Sequence, residues 1–226
     1  NPHPMFDVSV FRSRNFSGAL LGSMGMNFSF WPFMIYLPIW FQAGLGLDGL
    51  TAGLALLAYT LPTLVVPPFA ERLSQRLGAG TVIPAGLFVI GLGFFIMKVG
   101  AGGGSLALAT TLVGAMLAGL GLGATNTPVT NTTTGSVSSD RAGMASGIDM
   151  SARMISLAIN IALMGFVLLH GVQNRLSAAS GSFDAVQLRH AAEQIAAGNV
   201  SALDQSALGA STVIGSTALA GGFGDV

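Results

Sequence analysis

The sequence contains no cysteine and very little charge. Without cysteine, the chain has no disulfides, no thiolate metal ligands and no cysteine nucleophile. Its 9 basic and 9 acidic residues give a formal net charge of zero, so the basic surface typical of a nucleic-acid-binding protein is missing. Charged residues make up 8% of the chain, against about 25% in soluble domains. A water-soluble globular protein and a nucleic-acid partner are therefore both disfavoured.

The sequence contains several long apolar segments. Hydrophobic residues make up 51% of the chain, and the mean hydropathy is +0.70. A helix needs roughly 20 apolar residues to cross the hydrocarbon core of a bilayer, and five segments reach that length. The predicted spans are residues 16–42, 50–70, 81–99, 106–134 and 145–169. The predicted fold class is all-α, a polytopic transmembrane helix bundle with five spans and an incomplete sixth region.

The segments outside these spans predict the orientation of the chain. Short loops that carry Lys and Arg favour the cytoplasmic side. Five arginines fall on one side if the spans alternate: Arg12, Arg14, Arg72, Arg76 and Arg141. Residues 1–15 are therefore predicted as a cytoplasmic linker, and residues 170–226 as an extracytoplasmic loop with surface helices. Within that loop, residues 183–197 are predicted as a helix capped by Ser182, and residues 207–220 as a membrane-adjacent segment.

A polar stripe runs along span five. Ser146, Asp149, Arg153, Ser156 and Asn160 recur at steps of three and four residues, which places them on one helical face. A central charge costs roughly 2.5–3.5 kcal/mol in lipid, so this face should meet a cavity or another helix. Asp149 precedes Arg153 by four residues, the favourable order for a helical ion pair. The pair is either a titratable element of a water-lined pathway or a static pair near the interface, with Arg153 reaching toward headgroups.

Two other spans carry candidate polar residues. On span four, Asn126 and Thr130 either line a cavity beside the stripe or lie at a close helix contact, because this span is rich in glycine and alanine. On span one, Asn27 and Trp31 share a face. An aromatic ring beside an amide suits loose recognition of apolar or cationic compounds. The alternative is an interhelical hydrogen bond and an interface anchor.

The three histidines do not indicate a metal or catalytic site. His3, His170 and His190 are widely separated and lie outside the predicted spans. Hydrolysis inside the membrane would need a nucleophile beside a base, and no predicted span contains a histidine. The sequence therefore predicts no metal and no cofactor, and it disfavours an enzyme.

Several segments resemble the fourteen-helix drug:proton antiporter branch of the major facilitator superfamily, from about Pro4 to the end of the chain. The similar segments are FRSRNF at residues 11–16, YLPIWFQ at 36–42, AGLALL at 52–57, and RAGMASG at 141–147 followed by Arg153. Their order along the chain matches the passage from the ninth to the thirteenth helix of that family.

The basic link after span two resembles the C-terminal copy of the superfamily's helix-connecting signature, Gly-x-Leu-x-Asp-Arg-x-Gly. Leu73, Arg76 and Gly78 match it, whereas Glu71 and Gln75 stand where Gly and Asp are usual. The arginines there act either as topology determinants or as a gate that latches in one state. The predicted cytoplasmic gating loop consists of Arg72, Arg76, Gly78 and Arg141.

The resemblance implies the C-terminal half of a transporter that works by alternating access. The five spans would be helices nine to thirteen, the fourteenth would lie beyond Val226, and an N-terminal half would be missing. The implied function is proton-coupled export of drugs or other amphipathic molecules across a bacterial inner membrane. The implied partners are the lipid bilayer, the missing half, the substrate and protons. Two alternatives stay open: an exporter of one metabolite or siderophore, and a membrane scaffold or receptor that transports nothing.

Overall fold

The computed structural model describes residues 7–101, 106–179 and 185–196, and within these ranges the chain is helical apart from short connections. The α-helices are α1 Arg14–Ile39, α2 Gly49–Val65, α3 Pro67–Leu77, α4 Ala79–Ala101, α5 Ala107–Gly135, α6 Ala142–Ala179 and α7 Ala185–Ala196. A short 3-10 helix, Val8–Arg12, precedes α1, and a second, Ser139–Arg141, precedes α6. The all-α prediction is confirmed for this part of the chain.

The predicted number of five spans is not confirmed. Among the described residues, three helical stretches are long and apolar enough to cross a membrane: Ala79–Gly100, Ala107–Gly135 and Ser139–Ser177. A fourth is added if α2 and α3 are taken together as one bent span. The first predicted span, residues 16–42, does become helical as α1. It falls short because Asn27, several serines and two prolines lower its mean hydropathy.

The basic link after span two is a helix and not a loop. The second span was predicted over 50–70 with a link at 71–78, but α2 ends at Val65 and α3 begins after a bend of 45°. Proline lacks an N–H group and fits the first positions of a helix, so Pro67 interrupts one helix and starts the next. Nothing stops α3 until Gly78, whose φ of +83° closes the helix. Arg72 and Arg76 therefore lie on a helix.

Helix α6 is longer than predicted. It runs from Ala142 to Ala179, so the helix continues ten residues past the predicted end of the membrane span at residue 169. Its 38 residues correspond to about 57 Å of helix, nearly twice the roughly 30 Å hydrocarbon thickness of a bilayer. The helix predicted over 183–197 is present as α7. Its predicted cap, Ser182, and the segment 207–220 lie outside the described residues.

Two compact units make up the chain. The first comprises Asn1–Trp31, Tyr59–Gly93 and Met116–Asn160, and the second comprises Pro32–Ala58, Phe94–Ala115 and Ile161–Val226. One core cluster of the first unit joins the lead-in segment and α1 to the start of α6, and its buried members are Val10, Phe16, Leu20, Ala145 and Ile148. The core cluster of the second unit joins α6 to α7 through Leu168, Val172, Leu176, Ala192 and Ile195.

Glycines let α5 pack closely in the first unit. A Cβ on Gly121 would lie 2.5 Å from the carbonyl oxygen of Gly86 on α4, which is closer than real Cβ contacts come. A Cβ on Gly119 would come still closer to the backbone carbonyl oxygen of Tyr59 on α2. The close helix contact predicted for this glycine-rich span is therefore present. It positions α5, which carries Asn126 and Thr130, against α4 and α2.

Candidate functional site

Arg153 is the centre of a polar network between α6 and α5. Its Nε donates to Asp149 Oδ2 at 3.0 Å, one turn earlier on α6. Its Nη1 donates to Asn126 Oδ1 at 3.1 Å, and its Nη2 donates to Thr130 Oγ1 at 3.0 Å. The side chain of Arg153 is 13% exposed and that of Asp149 8%. The structure thus brings together four residues that the sequence singled out on two separate spans.

A second set of polar contacts joins α6 to α1. Asn27 Nδ2 donates to the backbone carbonyl oxygen of Arg153 and, at 3.2 Å, to Ser156 Oγ. Asn160 Nδ2 donates to the carbonyl oxygen of Phe28. Asn27, Ser156 and Asn160 are all buried, at 3%, 0% and 1% exposure. Ser156 and Asn160 are therefore engaged in helix–helix packing, and the interhelical hydrogen bond considered for Asn27 is present.

A cavity of about 280 Å³ lies beside this network in the first unit. Most of its wall is apolar, and its large polarizable side chains are those of Met26, Met150, Met154, Phe30 and Trp31. The Phe30 ring packs edge-on to Trp31 at 5.1 Å and stacks on Tyr59 at 6.0 Å. Trp31 is 44% exposed, so its ring is available to a ligand. Trp31 thus lies on the wall of this cavity, and its part in recognition stays a prediction.

The polar part of the cavity wall is small. Its polar residues are Asn27, Thr63, Asn126 and Arg153. Arg153 is the only charged residue on this wall, whereas Asp149 lies off it. The Asp149 Oδ1 atom is buried and has no hydrogen-bond partner among the described residues. Of the two members of the ion pair, Arg153 lines the cavity and Asp149 does not.

A larger cavity, of about 590 Å³, lies elsewhere in the first unit against α1 and α6. Its wall is apolar, with residues such as Leu20, Met24 and Ile148, and Ser151 is its one polar member. A site that orients a ligand needs a few placed polar groups in an apolar wall. The smaller cavity has them and the larger one does not, so we take the smaller one as the candidate site.

The predicted gating residues lie away from this network. Arg72 and Arg76 are exposed on α3, and Gly78 ends that helix. Arg141 pairs with Asp7 in the lead-in segment, with Nη1 at 2.5 Å from Oδ2. Hydrogen bonds from Ser9, with a smaller contribution from Arg141, hold the pKa of Asp7 below its usual value of 3.8.

Sequence reasoning missed two features of this unit. The Asp7–Arg141 pair joins residues 134 positions apart, and no local pattern signals such a contact. The three methionines of the cavity were also missed. Met150 and Met154 stand four residues apart beside the polar stripe, and that spacing was the available signal.

Comparison with known proteins gives concordant matches. A family model described as Major Facilitator Superfamily matches residues 19–176. The chain is 31% identical over 166 residues to the multidrug resistance protein Stp of Mycobacterium tuberculosis, covering 74% of this chain and 30% of that protein. It is 29% identical over 168 residues to the uncharacterized transporter YebQ of Escherichia coli, covering 74% of this chain and 36% of that protein. It is 27% identical over 165 residues to the quinolone resistance protein NorB of Staphylococcus aureus, covering 73% and 35%. The chain spans about a third of the length of these relatives.

Proposed function

Because this chain belongs to the major facilitator superfamily, we propose that it is part of a secondary transporter that exports drugs and other amphipathic small molecules in exchange for protons. The family match makes it a segment of a multi-pass membrane transporter rather than an enzyme. Substrate class, proton coupling and a place in the bacterial inner membrane are the parts we propose. They are supported by relatives named for multidrug and quinolone resistance, and they concern the whole protein, of which this chain is one part.

The observation that carries the proposal is the chemistry of the 280 Å³ cavity. Its wall combines three thioethers with two aromatic rings. Methionine is unbranched and polarizable, so its side chain adapts to ligands of different shape. Aromatic rings add large apolar contact area, and a few polar groups suffice to orient a ligand. Such a wall suits amphipathic compounds that differ in detail.

The Asp149–Arg153 pair is the proposed coupling element. An ionisable pair inside a span is costly in lipid, and such pairs mark ion and substrate pathways. Arg153 already has hydrogen-bond partners on α5 in Asn126 and Thr130, so it can remain held there when Asp149 becomes neutral. The Oδ1 atom of Asp149 can take a proton without losing an existing hydrogen bond. The pair thus offers two arrangements, which a rocking transporter requires.

The test uses the full-length protein in proteoliposomes with an imposed pH gradient. We expect gradient-driven flux of several unrelated amphipathic compounds. Asp149→Asn should reduce this flux about ten-fold or more while leaving compound binding in place, because the amide cannot titrate. Glu193→Gln is the matched control, since Glu193 lies in an exposed ion pair on α7. Unchanged coupled flux in Asp149→Asn would remove Asp149 from the coupling step.

The same assay separates the two alternatives. Flux of one metabolite or siderophore alone, with no movement of unrelated compounds, would identify a specific exporter. Flux no greater than in empty vesicles, together with stable binding of a protein partner, would identify a scaffold or receptor.

A further inference from the structure

The charge that faces the candidate cavity is positive. Arg153 is the one charged residue on the described wall, and the carboxylate that balances it lies off that wall. Asp149 contacts Nε of the guanidinium. The Nη1 atom of the guanidinium donates to Asn126, which also lines the cavity, so the guanidinium lies at this wall, with Asp149 on its Nε side.

Arg153 has unused hydrogen-bond donors. A guanidinium carries five N–H groups. One is used by Asp149, one by Asn126 and one by Thr130. The two others, one on each Nη atom, have no partner within the part of the chain that the structure describes. The rigid fork of arginine binds carboxylates with charge-assisted hydrogen bonds.

The geometry points to amphipathic carboxylic acids and zwitterions as the preferred substrate class of this cavity. The carboxylate would bind at Arg153, and the apolar body would lie against the methionines and the aromatic rings. The aromatic wall formed by Phe30 and Trp31 could attract cations through its π faces. A cation in this small space would also be repelled by the guanidinium, because Arg153 lies on the wall and is closer to the ligand than Asp149, which only partly offsets its charge. This inference rests on the proposed function, since it specifies what the exporter selects.

Asn27 helps to hold the recognition group in place. It donates to the backbone carbonyl of Arg153 and to Ser156 Oγ, so it ties the turn that carries the guanidinium to α1. We assign it as a positioning residue for Arg153. Its substitution should weaken the discrimination between acids and esters more than it weakens binding of the ester.

The test is a binding comparison with three ligands that share one ring system: naphthylacetic acid, its methyl ester and naphthylmethyl-trimethylammonium. Calorimetric titration of the full-length protein in nanodiscs, with empty nanodiscs subtracted, gives the affinities at neutral pH. We expect the acid to bind about ten-fold more tightly than the ester, the scale of a charge-assisted hydrogen bond. The trimethylammonium compound should bind more weakly than the ester.

Variants at Arg153 separate recognition from structure. Arg153→Gln should remove the preference for the acid by weakening the acid alone, with the ester within about two-fold. Arg153→Lys keeps the positive charge but lacks the planar, two-pronged guanidinium, so it should retain part of the preference for the acid over the ester. Asp149→Asn should strengthen acid binding several-fold, because it removes the carboxylate that competes for the guanidinium. Arg189→Gln, in the exposed pair on α7, is the control and should change none of the three affinities.

Three outcomes would overturn the inference. They are equal binding of acid and ester, equal weakening of both by Arg153→Gln, and weaker acid binding in Asp149→Asn. If all three ligands bind with no preference, the exporter proposal stands and this inference fails. If none binds and none is transported, the proposed function fails as well.

Discussion

The two ends of α6 differ in the contacts that hold them: hydrogen bonds between polar side chains at one end, and apolar packing at the other. In the first unit, residues 142–160 of α6 carry buried polar side chains, each hydrogen-bonded to a partner on another helix or one turn away. In the second unit, Leu168, Val172 and Leu176 of the same helix belong to a hydrophobic cluster that includes Ala192 and Ile195 of α7. Hydrogen-bonded pairs specify orientation and partner, whereas apolar packing depends on shape and area. The first arrangement suits a site that changes state, and the second suits a fixed support.

Removing Arg153 should have the largest effect on stability. Arg153→Met leaves Asp149 buried without its cation, and breaking a buried pair in this way costs about 3–5 kcal/mol. Adding Asp149→Leu should recover most of that loss, because an apolar pair of similar volume needs no desolvation. Thermal unfolding of the full-length protein in detergent, followed by tryptophan fluorescence, measures both changes. A double variant no more stable than Arg153→Met would contradict the idea that the loss comes from the unpaired carboxylate of Asp149.

Truncating a buried apolar side chain at the α7 end of α6 should lower stability strongly without changing ligand specificity. Ile195 is fully buried where α7 packs on α6, and its truncation to Ala should cost about 2–4 kcal/mol in the local packing of α7. Limited proteolysis should then cut α7 faster, while ligand affinities stay within about two-fold. The control is Glu193→Ala on the exposed face of α7. A change in ligand discrimination in Ile195→Ala would show that this end is part of the site.

The hydrogen bonds between α1 and α6 should contribute less to stability than either of these two features. Asn27→Ala removes the bonds to the Arg153 carbonyl and to Ser156, and interhelical hydrogen bonds in membranes are worth about 0.5–2 kcal/mol. The expected signature is a modest loss of thermal stability. Ser17→Ala, which removes a hydroxyl donor to Phe11 O on an exposed turn of α1, is a matched control outside the network. A loss as large as that of Arg153→Met would mean that Asn27 holds the helix pair by itself.

Periodicity predicted which residues share the site. Asp149 and Arg153 lie on one helical face by their spacing alone. Asn126 and Thr130 were predicted either to line a cavity beside that face or to lie at a close helix contact, and the structure shows both bonded to Arg153. The sequence could not rank the two cavities, because their walls combine residues from helices that are far apart in the chain. Methionine gives no polar signal of its own, so Met26 was not visible as part of the wall.

Helix ends were harder to predict than helix faces. Proline marked the break after α2, but proline does not say whether a helix resumes, and α3 resumes at once. Polar residues after position 169 indicated that the chain leaves the membrane, yet leaving the bilayer does not end a helix. Here α6 continues because Val172 and Leu176 bury against α7, a tertiary contact that the local sequence does not contain.

The smallest expected effect concerns the Asp7–Arg141 pair, the hydrated counterpart of the buried pair at Arg153. Its side chains are 20% and 40% exposed, so solvent and salt screen it. The pKa of Asp7 is lowered from 3.8, first by the hydrogen bonds from Ser9 and then by Arg141. A carboxylate with a lowered pKa stabilises the fold above its unfolded value and loses that contribution as pH falls through its folded value.

The unfolding temperatures of wild type and Asp7→Asn should therefore differ slightly at neutral pH and converge as the pH falls below about 3.8. Ser9→Ala keeps the backbone bond to Asp7 and removes only the side-chain one. It should still reduce the difference more than Arg141→Gln does, since the Ser9 side chain is the first cause of the lowered pKa. At about 1 M salt, where the screening length is roughly 3 Å, the Arg141 contribution should vanish while the Arg153 effect persists. If salt weakened both pairs equally, the contrast between a buried network and a hydrated contact would be wrong, because burial is what protects the Arg153 network from screening.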